Sequence, residues 1–349
     1  MSLTKAPAET AERKAYYEKI GKKNMTPLWA VLSGLITPQP KSACKPHLWR
    51  YAEAREMLLE AGDLISAKEA ERRVLILENP GMPGDSKITT SLYAGLQLVL
   101  PGEVAPAHRH SQSALRFIME GSGAHTTVNG EKTVLEVGDF VITPPNSWHD
   151  HGNDSGKPII WLDGLDIPLV QILDASFAES YPDEEQPIDK PTGHSNARYG
   201  ANMLPVDYES RVLSSPIFNY PYARTREALE SMRRRDEWDP CHGLKMKYVN
   251  PQDGGFAMPT IGTFIQLLPK GFKTARYRST DATVYVPVEG RGRSQIGEET
   301  FDWGPQDVFV APSWMPVHHE PDGDAVLFSF SDRPVQQKLG LWREDRGNA

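Results

Sequence analysis

Two stretches decide how this chain reads: Gly102-Glu103-Val104-Ala105-Pro106-Ala107-His108-Arg109-His110, and Pro144-Pro145-Asn146-Ser147-Trp148-His149-Asp150-His151-Gly152-Asn153. Residues at i and i+2 on a strand project from the same face. His108 and His110 therefore share one side of one strand, and His149 follows on another after 38 intervening residues. Three imidazoles gathered in this way form one face of a metal site suited to Zn, Cu, Fe or Ni. An isolated His-x-His is usually structural or solvated. Here glycines and prolines at turn positions frame all three histidines.

Gly102, His108, His110 and Gly121 match the first cupin motif, G-x5-H-x-H-x(3,4)-E-x6-G, except that Ala114 stands in place of the glutamate. Gly138, Pro144, His149 and Asn153 match the second, G-x5-P-x-G-x2-H-x3-N. Asn146 replaces its second glycine, and Asn tolerates the left-handed turn. With no carboxylate, three neutral histidines form the ligand set, and a divalent ion keeps its full charge. An octahedral ion held on one face leaves three adjacent positions open, enough for a bidentate substrate and O2. A tetrahedral zinc leaves one.

The 349 residues suffice for two domains or one elaborated domain. A net charge of −8 argues against a nucleic-acid-binding surface. Two cysteines, Cys44 and Cys241, are too few for a disulfide framework and fit a reducing compartment. No apolar run approaches the ~20 residues of a membrane span, and the N-terminus lacks an apolar signal region. The expectation is a cytoplasmic protein with no membrane partner.

The texture of the chain changes along its length. Residues 1–73 read as a helical extension, with Ala11–Tyr17 and Tyr51–Glu60 rich in helix formers. Short, apolar, turn-bounded runs such as Val74–Leu77, Leu96–Leu100 and Phe140–Thr143 read as strands. Residues 74–174 then form a metal-binding barrel, 175–250 a linker with a short helix near Glu227–Arg235, and 251–349 a second barrel. The second half weakly repeats the first: Glu120-Gly121-Ser122-Gly123 recurs as Glu289-Gly290-Arg291-Gly292, Asp139-Phe140-Val141 as Asp307-Val308-Phe309, and Pro144 as Pro312. At these offsets His108 maps to Tyr277, His110 to Ser279 and His149 to Val317, so the second barrel is expected to hold no metal. The fold class is mainly β: a bicupin of two tandem double-stranded β-helix (jelly-roll) barrels behind an N-terminal helical extension.

Pro106–Gln112, Leu115-Arg116-Phe117 and Trp161–Pro168 resemble the gentisate 1,2-dioxygenase family of bicupin ring-cleaving dioxygenases. The resemblance spans nearly the whole chain, including Pro27-Leu28-Trp29 and the degenerate second half. It implies one Fe(II) per subunit on His108, His110 and His149. It also implies an aromatic carboxylate and O2 as substrates, cleavage between the carboxyl- and hydroxyl-bearing ring carbons (maleylpyruvate from gentisate), and a homotetramer.

Several residues gather around the expected metal. Arg116, six residues after His110, shares its face if one strand continues, and a guanidinium there suits a carboxylate; the plainer alternative is a surface ion pair. His151, two residues after His149, also faces inward. It resembles a second-sphere histidine that moves a proton, and a fourth metal ligand is the competing reading. The resemblance further assigns Arg72, Tyr93 and Gln97 to the substrate pocket and places Asp163 near it among the catalytic residues, orienting His151 or another polar partner; a buried structural carboxylate is the plainer alternative. Arg73 competes with Arg72 for that role. Gly95, on the pocket strand, leaves more room than an alanine.

Four functions compete on these residues. The leading one is gentisate 1,2-dioxygenase, and within the same group stands a salicylate or 1-hydroxy-2-naphthoate dioxygenase. A sugar isomerase is disfavoured by the missing glutamate and the arginines. A non-enzymatic metal-binding cupin is disfavoured by His151 and Arg116 beside the ligands.

Overall fold

The computed structural model describes residues 8–209, 212–234 and 238–347. These fall into two compact units, one ending at Ser42 and the other beginning at Ala43. The first contains two helices, Ala11–Gly21 and Leu28–Leu35. Thr10 caps the former by accepting from the Arg13 amide, and Trp29 Nε1 donates to Tyr17 Oη at 2.9 Å.

The second unit is built on two β-barrels, and the mainly-β bicupin reading holds. In the first, a six-stranded sheet runs in the order Asn219–Tyr220, Phe140–Thr143, Ala114–Glu120, Ile159–Leu165, Tyr93–Val99 and Val74–Ile76. It faces a five-stranded sheet ordered Ala178–Ser180, Val104–His110, His149–Gly152, His125–Val128 and Glu131–Val134. In the second barrel the corresponding sheet is ordered His47–Trp49, Val308–Ala311, Thr283–Glu289, Ala325–Ser331, Gly262–Leu268 and Leu244–Lys247. Glu299–Trp303, Gly292–Ile296 and Val317–Pro321 form its smaller sheet.

The two six-stranded sheets share one core. Leu96, Leu98, Leu115, Phe117, Phe140 and Leu162 of the first pack with Ile265, Val284, Val286, Phe328 and Phe330 of the second. The rings of Phe117 and Phe328 stack with centroids 4.3 Å apart. At Gly164 the sheets come so close that a Cβ would lie 2.9 Å from both Leu115 and Phe330. This explains the unbroken apolar runs in the sequence. Each strand buries one face in the seam and the other inside its own barrel.

The segments before each barrel are exchanged. His47–Trp49 precedes the first barrel but pairs with Val308–Val310 of the second. Asn219–Tyr220 precedes the second but pairs with Phe140–Val141 of the first. The helices that follow, Tyr51–Leu64 and Tyr222–Arg233, repeat the exchange. The Tyr51 amide donates to Asp307 of the second barrel, while Tyr51 Oη and Arg55 donate to Glu120 of the first. The Tyr222 amide donates to Asp139 of the first barrel, while Tyr222 Oη and Arg226 donate to Glu289 of the second. Each carboxylate at a helix start also meets the positive end of the helix dipole.

The segment read as a linker over 175–250 thus supplies strands to both barrels: Ala178–Ser180 pairs with His108–His110, and Leu244–Lys247 with Phe264–Leu267. Its helix starts earlier than the sequence suggested, at Tyr222, and residue 235 lies outside the described residues.

Phe328→Ala should lower stability by about 3–5 kcal/mol, and Glu120→Gln by about 1–2 kcal/mol, both read from urea denaturation. A Phe328→Ala variant as stable as a surface substitution would show that the seam is not a shared core.

Candidate metal centre

Alternation along two strands builds the centre. His108 and His110 point inward from Val104–His110, while Arg109 points out to pair with Glu179 over the Trp148 ring. His149 lies directly across from His108 in the antiparallel register. The turn leading to His149 holds Asn146 at φ +60°, the conformation anticipated for an Asn replacing glycine. The ligating nitrogens of His108, His110 and His149 all lie within 4.8 Å of one another. Among the described residues no other cluster of His, Cys, Asp or Glu meets that geometry.

Backbone carbonyls orient two of the rings. His110 Nδ1 donates to the Gln112 carbonyl and His149 Nδ1 to the Ser147 carbonyl, each at 3.0 Å. A carbonyl only accepts, so Nδ1 carries the proton and Nε2 keeps its lone pair for a metal. His149 Nε2 is buried with no hydrogen-bond partner. Burial, reinforced by Arg72 and Arg116, pushes His108 down to about 2; burial and Arg116 push His110 down to about 4. The rings are therefore neutral, as metal ligands must be. Ala114 is buried in place of the motif's glutamate, leaving three imidazoles without a carboxylate. This donor set suits a borderline divalent transition metal such as iron.

The remaining pocket residues are brought to the same interior. His151 is fully buried, with Nδ1 bonded to Thr126 Oγ1 at 2.9 Å and Nε2 unpartnered. Its ring meets Trp161 edge-on at 5.2 Å. Arg116 is not on the surface. It is 3 % exposed, donates to Thr143 Oγ1 at 2.6 Å and lies 3.5 Å from Asp163. Asp163 accepts from Trp161 Nε1 at 3.0 Å, and burial raises its carboxyl to about 6. It does not hydrogen-bond His151; Thr126 occupies the Nδ1 position instead.

Arg72 and Arg73 separate cleanly. Arg73 is tied to Glu103 and the Ile65 carbonyl. Arg72 donates to the Glu71 and Pro106 carbonyls, and burial with the nearby Arg116 pushes it down to about 9. Its charge bears on His108, His149 and His151. Gln97 Nε2 is buried without a partner, and Tyr93 lies near Asp163, which with burial raises its hydroxyl. An alanine Cβ at Gly95 would lie 2.4 Å from Val74 Cγ1 and 2.9 Å from Tyr93 Oη. Thr126, Thr143 and Trp161 were not singled out in the sequence. Only Trp161 left a signal there: it lies two residues before Asp163, on the same strand face.

Comparison with known proteins fits this geometry. The family described as "Cupin domain" matches residues 95–165. The chain is 64 % identical to gentisate 1,2 dioxygenase 1 of Aquipseudomonas alcaligenes over 99 % of this chain and 100 % of that protein. The chain belongs to the gentisate 1,2-dioxygenase family. That family of ring-cleaving dioxygenases extends to 5-aminosalicylate 1,2-dioxygenase of a Comamonas species, 36 % identical over 95 % of this chain and 89 % of that one. A salicylate 1,2-dioxygenase variant from Pseudoaminobacter salicylatoxidans, solved in complex with gentisate, superposes with a TM-score of 0.93. It is 34 % identical and covers 100 % of this chain and 99 % of its own. Among the described residues no helix is long and apolar enough to cross a membrane.

His149→Ala should lose bound metal by roughly 10- to 100-fold or more while its far-ultraviolet circular dichroism stays unchanged. Full metal content in that variant would remove His149 from the ligand set.

Proposed function

We propose that this protein is an Fe(II)-dependent gentisate 1,2-dioxygenase, opening the ring between the carboxyl- and hydroxyl-bearing carbons to give maleylpyruvate. The observation that carries the reading is the juxtaposition of three neutral imidazoles with the buried Arg116 and the half-buried Arg72 in a chain 64 % identical to a gentisate 1,2 dioxygenase. Iron held by His108, His110 and His149 would supply a site where a chelating substrate and O2 exchange electrons.

The remaining steps belong to the side chains. Arg116 and Arg72 receive the substrate carboxylate, since Asp163 is the one acidic group set against Arg116 and no carboxylate pairs with Arg72 among the described residues. Holding that carboxylate fixes the ring against the metal face, which is the positioning part of catalysis. His151 Nε2, buried and unpartnered, takes the proton of a ring hydroxyl while Thr126 holds the other side of its imidazole. This second-sphere role leaves the open metal positions to substrate and O2. Asp163 is a positioning residue that keeps Arg116 and Trp161 in place. Tyr93, Gly95 and Gln97 shape the wall against the ring.

A second reading, a broader salicylate-type enzyme, is favoured by Gly95, which keeps the pocket strand free of a side chain. We further place the enzyme in the cytoplasm as a homotetramer, on the family resemblance and the low cysteine count; sedimentation of the purified protein tests the assembly.

The deciding experiment is O2 uptake by the anaerobically Fe(II)-loaded enzyme with gentisate, salicylate and 1-hydroxy-2-naphthoate in parallel. Uptake with gentisate alone is expected. Comparable turnover of the monohydroxylated acids would move the assignment to the broader enzyme. Arg116→Ala should retain iron and lose at least roughly a hundredfold in kcat/KM, the scale of losing one partner of a buried charge pair. An unchanged KM and kcat would refute its role.

A further inference from the structure

The second barrel repeats the first pair by pair, and the repeat reaches into its interior. His108 opposite His149 becomes Tyr277 opposite Val317. Thr126 opposite His151 becomes Ser294 opposite His319, with the same hydroxyl-to-Nδ1 bond, here 2.7 Å. Val74 opposite Gln97 becomes Lys245 opposite Gln266. Arg116 opposite Asp163 becomes Tyr285 opposite Ser329. The metal ligands are gone, but the wall that faces substrate in the first barrel stays polar and has acquired a cation.

That polar wall is unsatisfied. Gln266 is 1 % exposed, yet neither its amide nitrogen nor its amide oxygen has a hydrogen-bond partner. Ser329 is fully buried with its hydroxyl unpartnered. Lys245 sits beside the Phe264 and Tyr285 rings, 4.9 and 5.9 Å from their centroids, with no carboxylate at ion-pair distance among the described residues. Arg333, by contrast, is matched by Asp281 at 3.1 Å. His319 and His242 are held well down by burial and contribute no charge at neutral pH. The interior therefore carries an amine with no ion-pair partner among the described residues and at least two orphaned hydrogen-bonding side chains on neighbouring strands. Leaving such groups bare is costly. Burial with Arg333 nearby lowers Lys245 to about 7, the effect expected of an ammonium that lacks its counter-charge. Outside, a cavity of about 620 Å³ beside Tyr277 is lined by Arg276, Arg278, Arg346 and Asp345, with Arg278 paired to Asp345 and Arg346 to Asp239.

We propose that the interior of the C-terminal barrel is a second, metal-free site that binds a small carboxylate through Lys245, Gln266 and Ser329. The anion would neutralise Lys245, accept from the Gln266 amide and Ser329 hydroxyl, and leave the iron-site residues untouched.

Equilibrium dialysis of the iron-loaded enzyme against radiolabelled acetate tests this, with excess gentisate present under anaerobic conditions. The readout is the difference between wild type and variants, so it is independent of what occupies the first barrel. Wild type should show saturable acetate binding that neutral acetamide does not displace. Lys245→Met should weaken it at least roughly tenfold, the loss of one charge-assisted partner, with gentisate turnover unchanged. Gln266→Leu should weaken it as well and decides the matter if Lys245→Met does not fold. No saturable acetate in wild type, displacement by acetamide, or wild-type affinity in either folded variant would overturn the proposal.

Discussion

Phe117, Phe140, Phe328 and Phe330 fill a seam between two six-stranded sheets, and the rest of the protein depends on that seam. A strand has two faces. Once one is committed to the shared core, the other must line its own barrel. Ala114–Glu120 shows the consequence: Leu115, Phe117 and Met119 enter the seam, and Arg116 is left pointing at the metal face. Ile159–Leu165 does the same with Ile160 and Leu162 against Asp163. The apolar burial, worth about 1.5–3 kcal/mol for each large side chain, is what holds a guanidinium and a carboxylate in a nearly dry interior.

The exchanged segments lock the seam from outside. Each helix takes its N-terminal carboxylate from one barrel and gives its Tyr and Arg to a glutamate of the other. Asp139 and Asp307 are repeat positions, as are Glu120 and Glu289, so the lock is itself part of the internal repeat. Neither barrel completes its six-stranded sheet without a strand that precedes the other.

Inside the barrels the same scaffold supports two electrostatic outcomes. In the first, Arg72 and Arg116 stand over three neutral histidines with one buried carboxylate among them. Their cationic surplus leaves that interior suited to an anion. In the second, Tyr277, Ser279 and Val317 occupy the ligand positions, while His319 keeps the counterpart of the His151 hydroxyl bond. A polar wall persists after the metal ligands have been replaced, because interior positions of a closed barrel are hard to reshape once the seam behind them is packed.

The sequence by itself determined the metal constellation, the two barrels and their tandem repeat. All three are carried by local spacing: the period of two along a strand, the residues demanded by turns, and recurrence at a constant offset. Its count from His110 to Arg116 assumed one continuing strand, but the chain turns at residues 111–113, and Arg116 enters the interior from the next strand, Ala114–Glu120, opposite Asp163. Only the tertiary structure decided which of the adjacent arginines, 72 or 73, stands near the three histidines, since Glu103 claims Arg73 from a turn thirty residues away. It alone placed Thr126 on His151 and Asp163 on Trp161 and Arg116, pairings set by cross-strand register rather than by sequence neighbours. The exchange of His47–Trp49 and Asn219–Tyr220 was equally illegible. A three- or two-residue edge strand has too few residues to show a period, and its partner is chosen by the free edge it meets.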